Sequence, residues 1–142
     1  MTKNQIIQNI NVLKSDFSIN YSIKTKTENF TEKLFYTLFD GSASLDESID
    51  ELEVLFKEIS AIACKKTTEL CDSIWDKYLA QLPSVLEQLN QDAVYILEND
   101  PASNSIEEVY LAYPGFYAIA IYRLSHELYL LDLLLFSRLM SE

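Results

Sequence analysis

The sequence contains few side chains of the types that carry acid–base, nucleophilic or metal chemistry. His126 is the single histidine, so one chain cannot assemble a metal site that needs several histidines. The residue three positions earlier is Arg123, which excludes half of a Glu-x-x-His di-iron motif. A general base also needs a nucleophile and an orienting group, and no spacing in the sequence supplies them. We therefore expect His126 to be a core or interhelical histidine with its hydrogen bonds satisfied.

The two cysteines and two glycines exclude further classes of site. Cys64 and Cys71 are seven residues apart in a segment predicted to be helical, roughly 10 Å along the axis, which is too far for a disulfide. We interpret them as reduced, half-buried thiols of a cytoplasmic protein, and the N-terminal residues lack the apolar run of a signal peptide. With only Gly41 and Gly115, the sequence has no glycine-rich phosphate loop and no dinucleotide-binding fingerprint.

Acidic residues dominate the charge of the chain. It has 11 Lys and Arg against 22 Asp and Glu, which gives a net charge of −11 and a pI of about 4.4. This balance argues against nucleic-acid binding and against adhesion to an anionic membrane. The longest charge-free stretch, 109–122, has 14 residues and is too short for a membrane span, which needs about 18. The acids show no convergent spacing, so a carboxylate-only metal site is not expected either.

Apolar residues recur every three or four positions almost throughout, which predicts an all-α chain. We expect one helical domain over 1–142, a bundle of about six to eight helices without a sheet. Residues 1–27 supply its first helix and a connector. A second helix stops beside Gly41, which can adopt the left-handed conformation. A capping box at 44–47 then starts a long helix, or two nearly collinear ones, that ends before Pro83.

Prolines and a second capping box divide the last third of the chain. The helix that opens at Pro83 breaks at 100–101, because a residue before proline is pushed out of the α region. The next capping box lies at 105–108. Pro114 and Gly115 then shape a corner between two helices, since proline fixes one backbone dihedral and glycine permits close approach. A helix begins at this corner, and a last helical stretch follows that helix.

An ordered set of short motifs lies in residues 82–142. In chain order they are Leu82-Pro83, Asp92-Ala93, Asp100-Pro101-Ala102, Ser105, Glu108-Val109, Tyr113-Pro114-Gly115-Phe116, Ala118-Ile119, Tyr122-Arg123-Leu124 and His126-Glu127-Leu128-Tyr129. The set resembles the N-terminal helical domain of serine O-acetyltransferases, which transfer acetyl from acetyl-CoA to L-serine in cysteine biosynthesis. The first part of the chain shares only the helical character and the Leu-Pro junction of that domain.

The resemblance implies a function for one residue of this chain and places the catalytic residues of such enzymes in a separate β-helix. The Asp of the Asp-Pro-Ala motif contacts the substrate serine in this family, which makes Asp100 the candidate substrate-binding residue. The catalytic histidine, its aspartate and the acetyl-CoA groove of such enzymes lie in a β-helix of hexapeptide repeats. The 142 residues contain no such period.

We therefore expect the chain to be the front portion of such an enzyme, whether a truncated form, part of a split gene or a degenerate relative. On this interpretation it is inactive alone, holds no catalytic residue, metal or cofactor, and meets L-serine only together with the remaining half. Family members often pair through their helical domains, which implies a homo-oligomer that associates through apolar helices.

Other interpretations of these residues stay open. Asp100 is also a typical turn or cap residue, since Asp before Pro is common in turns. Arg123 could face a substrate carboxylate or pair with Glu108 or Glu127, and an ion pair that fixes helix packing is the preferred interpretation. The whole chain could instead be a non-enzymatic module for self-association or partner docking, because its apolar tail, 128–140, suits a partner surface.

Overall fold

A computed structural model of the chain describes residues 1–63 and 68–142, with the side chains of 68–72 left out of the description. Cys64 and Cys71 lie outside the described residues and side chains, so the interpretation of the two thiols stays a prediction. Seven helices and no strand occur in the described ranges, which confirms the all-α bundle and the expected number of helices. They are α1 (Lys3–Lys14), α2 (Ser22–Phe39), α3 (Leu45–Ala63), α4 (Thr68–Asn99), α5 (Ile106–Ala112), α6 (Pro114–Leu130) and α7 (Leu134–Met140).

Four aromatic side chains form the centre of the core, and each comes from a different helix. The ring of Phe30 in α2 lies 5.8 Å from Phe56 of α3 and 5.3 Å from Phe136 of α7, measured between centroids. Tyr78 of α4 completes the group at 5.5 Å from Phe56. All four are fully buried, and the hydroxyl of Tyr78 donates to the carbonyl oxygen of Leu124 in α6 at 3.1 Å. Five helices therefore meet at one aromatic cluster whose buried polar atom is satisfied.

Helix α4 runs through Pro83, so the predicted helix end before this residue is wrong. A proline inside a helix removes one backbone hydrogen bond and costs about 3 kcal/mol. On either side of it, Leu82 and Val85 are buried, and Leu89 continues the same face one turn later. Burial of apolar side chains of this size contributes about 1.5–3 kcal/mol each. Packing on both sides of the proline therefore outweighs the local cost of keeping the helix intact.

The beginning and end of α2 also differ from the prediction. The helix begins at Ser22, inside the expected connector, and buries Ile23 and Thr27 in its first turns. At its other end Gly41 does not take a positive φ. Instead the carboxylate of Asp40 accepts from the backbone N–H of Ser42 at 2.9 Å and from its hydroxyl at 2.6 Å. This local turn replaces the glycine-based helix end.

The last two helices are joined by a turn with a left-handed residue, Asp132, whose φ is 65°. Aspartate tolerates this conformation better than most residues that carry a Cβ. The turn folds α7 back so that Phe136 and Met140 are buried in the core. None of the helices in the described part of the chain combines the length and the apolar character that a membrane crossing needs.

Candidate functional site

Asp100 lies in the loop that joins α4 to α5, directly after the last residue of α4. Its backbone N–H donates to the carbonyl of Ile96 at 2.9 Å, and its own carbonyl accepts from the N–H of Ser103 at 3.1 Å. One carboxylate oxygen, Oδ1, accepts from the backbone N–H of Ala102 at 2.9 Å. The side chain is half-buried. The helix therefore ends where the sequence predicted, and its closing turn fixes a carboxylate at the rim of the bundle.

Tyr113 holds this carboxylate from the other side. Its phenol hydroxyl donates a hydrogen bond to Asp100, and the neighbouring negative charge disfavours the phenolate further. Both effects raise the pKa of Tyr113, with the hydrogen bond as the larger cause. Tyr113 is extended, with φ −99° and ψ 102°, as expected for a residue before proline. Pro114 then occupies the first turn of α6, which confirms the predicted corner.

Gly115 makes room for the ring of Tyr113. A Cβ placed on Gly115 would lie 3.0 Å from Cε1 of that ring, closer than an ordinary van der Waals contact. The close approach that the sequence predicted for this glycine is thus an approach of a side chain. Gly115, Tyr113 and Asp100 form a connected set in which the glycine lets the tyrosine reach the aspartate. All three residues belong to the ordered set of motifs in the sequence, but only the structure links Tyr113 to the carboxylate of Asp100.

Arg123 connects α6 to α4 through a two-pronged ion pair with Asp92. Its Nε donates to Oδ2 of Asp92 at 2.7 Å and its Nη2 to Oδ1 at 3.2 Å, while Nη1 donates to Oε1 of Gln88 at 3.1 Å. The predicted partners Glu108 and Glu127 were wrong. Glu108 accepts from the backbone N–H of Asn104 at the start of α5, and Asp92 is the acid on the α4 surface that faces α6. Three of the five N–H donors of Arg123 are engaged with α4, so Arg123 forms the helix-fixing ion pair of the preferred interpretation.

His126 is exposed and its ring contacts lie on its own helix, so the expected core or interhelical position was wrong. Its ring stacks between two tyrosines on the surface of α6, with centroids 5.8 Å from Tyr122 and 6.0 Å from Tyr129 and interplanar angles of 13° and 15°. The reason is helical register: Leu124 and Leu128 occupy the buried face of α6, and a residue midway between them points away from it. No geometry here suggests a catalytic base.

A cavity of about 1150 Å³ lies beside Tyr113, between α2 and α6. Tyr113 and Pro114 belong to its wall, and Asp100 does not.

Within 1–63 and 73–142, no cluster of acids, histidines and cysteines has the arrangement of a metal site. What Asp100 can do chemically is accept charge-assisted hydrogen bonds, and an ammonium or hydroxyl group is the matching donor.

Comparison with known proteins relates part of this chain to one group of enzymes. No model of a known protein family matches the chain. A protein of Synechococcus elongatus named serine acetyltransferase, plasmid, is 41% identical over 61 residues, which are 43% of this chain and 19% of that protein. A serine acetyltransferase of Synechocystis sp. is 47% identical over 57 residues, 40% of this chain and 23% of that protein.

The resemblance to serine acetyltransferases is therefore confirmed for part of the chain. The chain spans only about a fifth of the length of these curated relatives.

Proposed function

We propose that this chain is the helical portion of a serine O-acetyltransferase and that Asp100 helps to bind L-serine. The observation that carries the proposal is the identity of 41–47% to two serine acetyltransferases. The position of Asp100 supports it, because the carboxylate is held by a backbone N–H and a tyrosine hydroxyl at the edge of the bundle. A carboxylate fixed in this way can receive the ammonium or the hydroxyl group of an amino acid.

In this proposal, acetyl transfer itself takes place on residues that the described chain does not provide. Acetyl-CoA is the co-substrate of the complete enzyme and is not assigned a site on this chain. The helical portion contributes a serine contact and subunit contacts, and it functions in cysteine biosynthesis in the cytoplasm. Three of the residues singled out in the sequence have supporting functions: Arg123 fixes two helices, Pro114 begins α6, and Gly115 shapes the surroundings of Asp100 through Tyr113. His126 stacks on the surface of α6 and is assigned no function at this site.

The second candidate is a module for self-association without enzymatic function. The apolar tail 128–140, which first suggested this function, is weaker support in the structure because four of its large apolar residues are buried in the core of the chain. The buried residues are Leu128, Leu133, Phe136 and Met140. A different element, α1, exposes apolar residues along its length. Self-association therefore supplements the enzyme proposal and does not depend on the tail.

A chimera tests the proposal. Residues 1–142 replace the portion of the Synechocystis sp. serine acetyltransferase that precedes and includes the 57 residues aligned with this chain. Thiol release from acetyl-CoA is measured with and without L-serine. We expect serine-dependent thiol release from the chimera and none from the 142-residue chain alone. The matched control is the same relative with the replaced portion deleted, for which we expect lower activity than for the chimera.

Two results would contradict the proposal. Clear turnover by the 142-residue chain alone would show that the chemistry resides here. A chimera that is folded by circular dichroism and yet no more active than the deletion control would show that the helical portion contributes nothing to the reaction.

A further inference from the structure

The cavity between α2 and α6, which we call the α2–α6 groove, has aromatic side chains in its walls. Its volume of about 1150 Å³ slightly exceeds the range of about 300–1,000 Å³ that is typical of small-molecule sites, which leaves room for an elongated ligand. Its aromatic lining residues are Phe35, Tyr36, Tyr110, Tyr113, Tyr117 and Tyr122. Aromatic faces attract cations and pack against the carbon chains of a ligand.

Contacts among aromatic rings hold these walls in place. The centroids of Phe35 and Tyr117 are 5.2 Å apart, which joins α2 to α6. The ring of Tyr110 lies 4.9 Å from Phe39 of α2, and its hydroxyl donates to Oδ1 of Asn90 at 3.0 Å. A ligand that enters the groove therefore meets walls that are already formed, and the entropic cost of ordering them on binding is small.

The groove is also lined by carboxylates. Glu28 and Glu32 are one turn apart on α2, about 6 Å along the helix axis, and Glu142 lies beyond the end of α7. Among the described lining residues the only cation is Lys24, so three carboxylates against one ammonium give a charge of −2. None of these four side chains forms an ion pair within the part of the chain that the structure describes. The charge of the groove is therefore left for a ligand to balance.

Two hydroxyl groups of the groove donate their protons to their own helices. Thr31 is 7% exposed, and its hydroxyl donates to the carbonyl of Thr27 at 2.7 Å. The hydroxyl of Ser141 donates to the carbonyl of Arg138 at 2.9 Å. A hydroxyl whose proton is used in this way can only accept a further hydrogen bond. Together with the carboxylates, these oxygens make the groove rich in acceptors, so the matching ligand carries donors.

These features select the class of ligand. The negative charge requires a cation, and the aromatic walls require that this cation also has carbon surface. Within 1–63 and 73–142 the acids do not cluster as metal ligands do, which argues against a bare metal ion. Carboxylates one helical turn apart suit two ammonium groups joined by a short methylene chain. An ammonium group has three donors and no acceptor, which matches the oxygens of the groove.

We propose that the α2–α6 groove binds a linear polyamine. Its ammonium groups pair with the carboxylates of Glu28 and Glu32, and its methylene chains lie against the rings of Tyr117 and Tyr122. The proposal goes beyond the enzymatic function and does not depend on it, since Asp100 does not line the groove.

Calorimetric titration of the 142-residue chain with spermidine tests the proposal. The ionic strength is held at about 0.15 M, where the Debye length of about 8 Å screens diffuse attraction to the acidic chain. We expect one site per chain. E28Q/E32Q removes two charge-assisted contacts and should weaken binding by at least about 10-fold. The matched control is D46N/D50N, which neutralises two exposed carboxylates one turn apart on α3 and should leave the affinity unchanged.

Two single substitutions complete the test. Lys24→Gln removes the competing cation of the groove and should tighten binding by about 3-fold, a gain that damage to the fold would not produce. Its control is Lys77→Gln, which makes the same change in net charge on α4 at a residue outside the groove lining. Tyr122→Leu should weaken binding by about 2- to 5-fold, and Tyr95→Leu, on the exposed surface of α4, should not change it.

Circular dichroism checks the helical fold of each variant, and Mg²⁺ at constant ionic strength serves as the competitor. We expect Mg²⁺ to displace spermidine no better than Na⁺ does, because the aromatic walls offer a metal ion nothing to bind. Absence of spermidine binding to the wild type, an unchanged affinity in E28Q/E32Q or in Lys24→Gln, equal weakening in D46N/D50N, or ready displacement by Mg²⁺ would each overturn the proposal.

Discussion

The ion pair between Arg123 and Asp92 is the contact that fixes α6 against the α4 segment leading to Asp100. We predict that R123M and D92A are each destabilising and that their effects are not additive. Methionine keeps the apolar stem of the arginine but removes its donors, and alanine removes the acceptor. Either change alone leaves the other partner of a partly buried pair without its main contact.

The magnitude follows from geometry and exposure. Hydrogen bonds to charged groups contribute about 1.5–3 kcal/mol, and this pair has two, at 2.7 and 3.2 Å. The side chains remain 33% and 25% exposed, so solvent screening reduces the value below that of a buried pair. We expect a coupling free energy of about 1–2 kcal/mol, and a loss of about 2 kcal/mol in the free energy of unfolding for each single variant.

Urea unfolding of the wild type, both single variants and the double variant measures the coupling. The control is the pair of Lys57 and Glu53, which lies on the exposed surface of α3 with 3.7 Å between the charged atoms. The corresponding cycle, K57M with E53A, should give about 0.3–0.5 kcal/mol. A coupling for Arg123 and Asp92 no larger than that of the control pair would refute the reasoning.

Three further substitutions test other parts of the fold. Tyr78→Phe should lower the free energy of unfolding by about 1 kcal/mol, because the carbonyl of Leu124 loses its donor. Burial raises the pKa of Tyr78, so folding favours its neutral form. This ionisation leaves the stability of the wild type unchanged below about pH 10 and lowers it by up to about 1.4 kcal/mol per pH unit above that. Tyr78→Phe lacks this contribution, so its stability should fall less steeply when urea unfolding is repeated at alkaline pH. Pro83→Ala should raise the free energy of unfolding by about 2 kcal/mol in the same assay, since it restores a helical hydrogen bond. Gly115→Ala should displace the Tyr113 ring and return the pKa of this tyrosine toward its ordinary value, measured by ultraviolet titration against Tyr113→Phe.

Local signals predicted most helix boundaries of the second half correctly. Ser105 caps α5 by accepting from the N–H of Glu108 at 3.1 Å, and Pro114 opens α6 as its residue type suggests. These signals depend on a few neighbouring residues, so the sequence contains all the information they need. Pro83 was misjudged because the burial of Leu82 and Val85, which keeps the helix intact, depends on helices distant in sequence.

The residues of the candidate site could be predicted from the sequence, but the contacts between them could not. Asp100 and Gly115 were identified by motif, and the structure places both in contact with Tyr113. The partner of Arg123 was not predictable, because the choice among several acids depends on which surface of α4 faces α6. The exposure of His126 follows from the register of α6, which the apolar residues on all sides of it obscured.

The proposed contact between Asp100 and L-serine is tested most directly by the kinetics of D100N in the chimera described above. Asp40 is the matched control, since its carboxylate also ends a helix and accepts from a backbone N–H two residues later, at the same 2.9 Å. Loss of a charge-assisted hydrogen bond of about 1.5–3 kcal/mol should raise the KM for L-serine by roughly 10- to 100-fold in D100N and leave D40N unchanged. An unaltered KM in D100N would contradict the assignment.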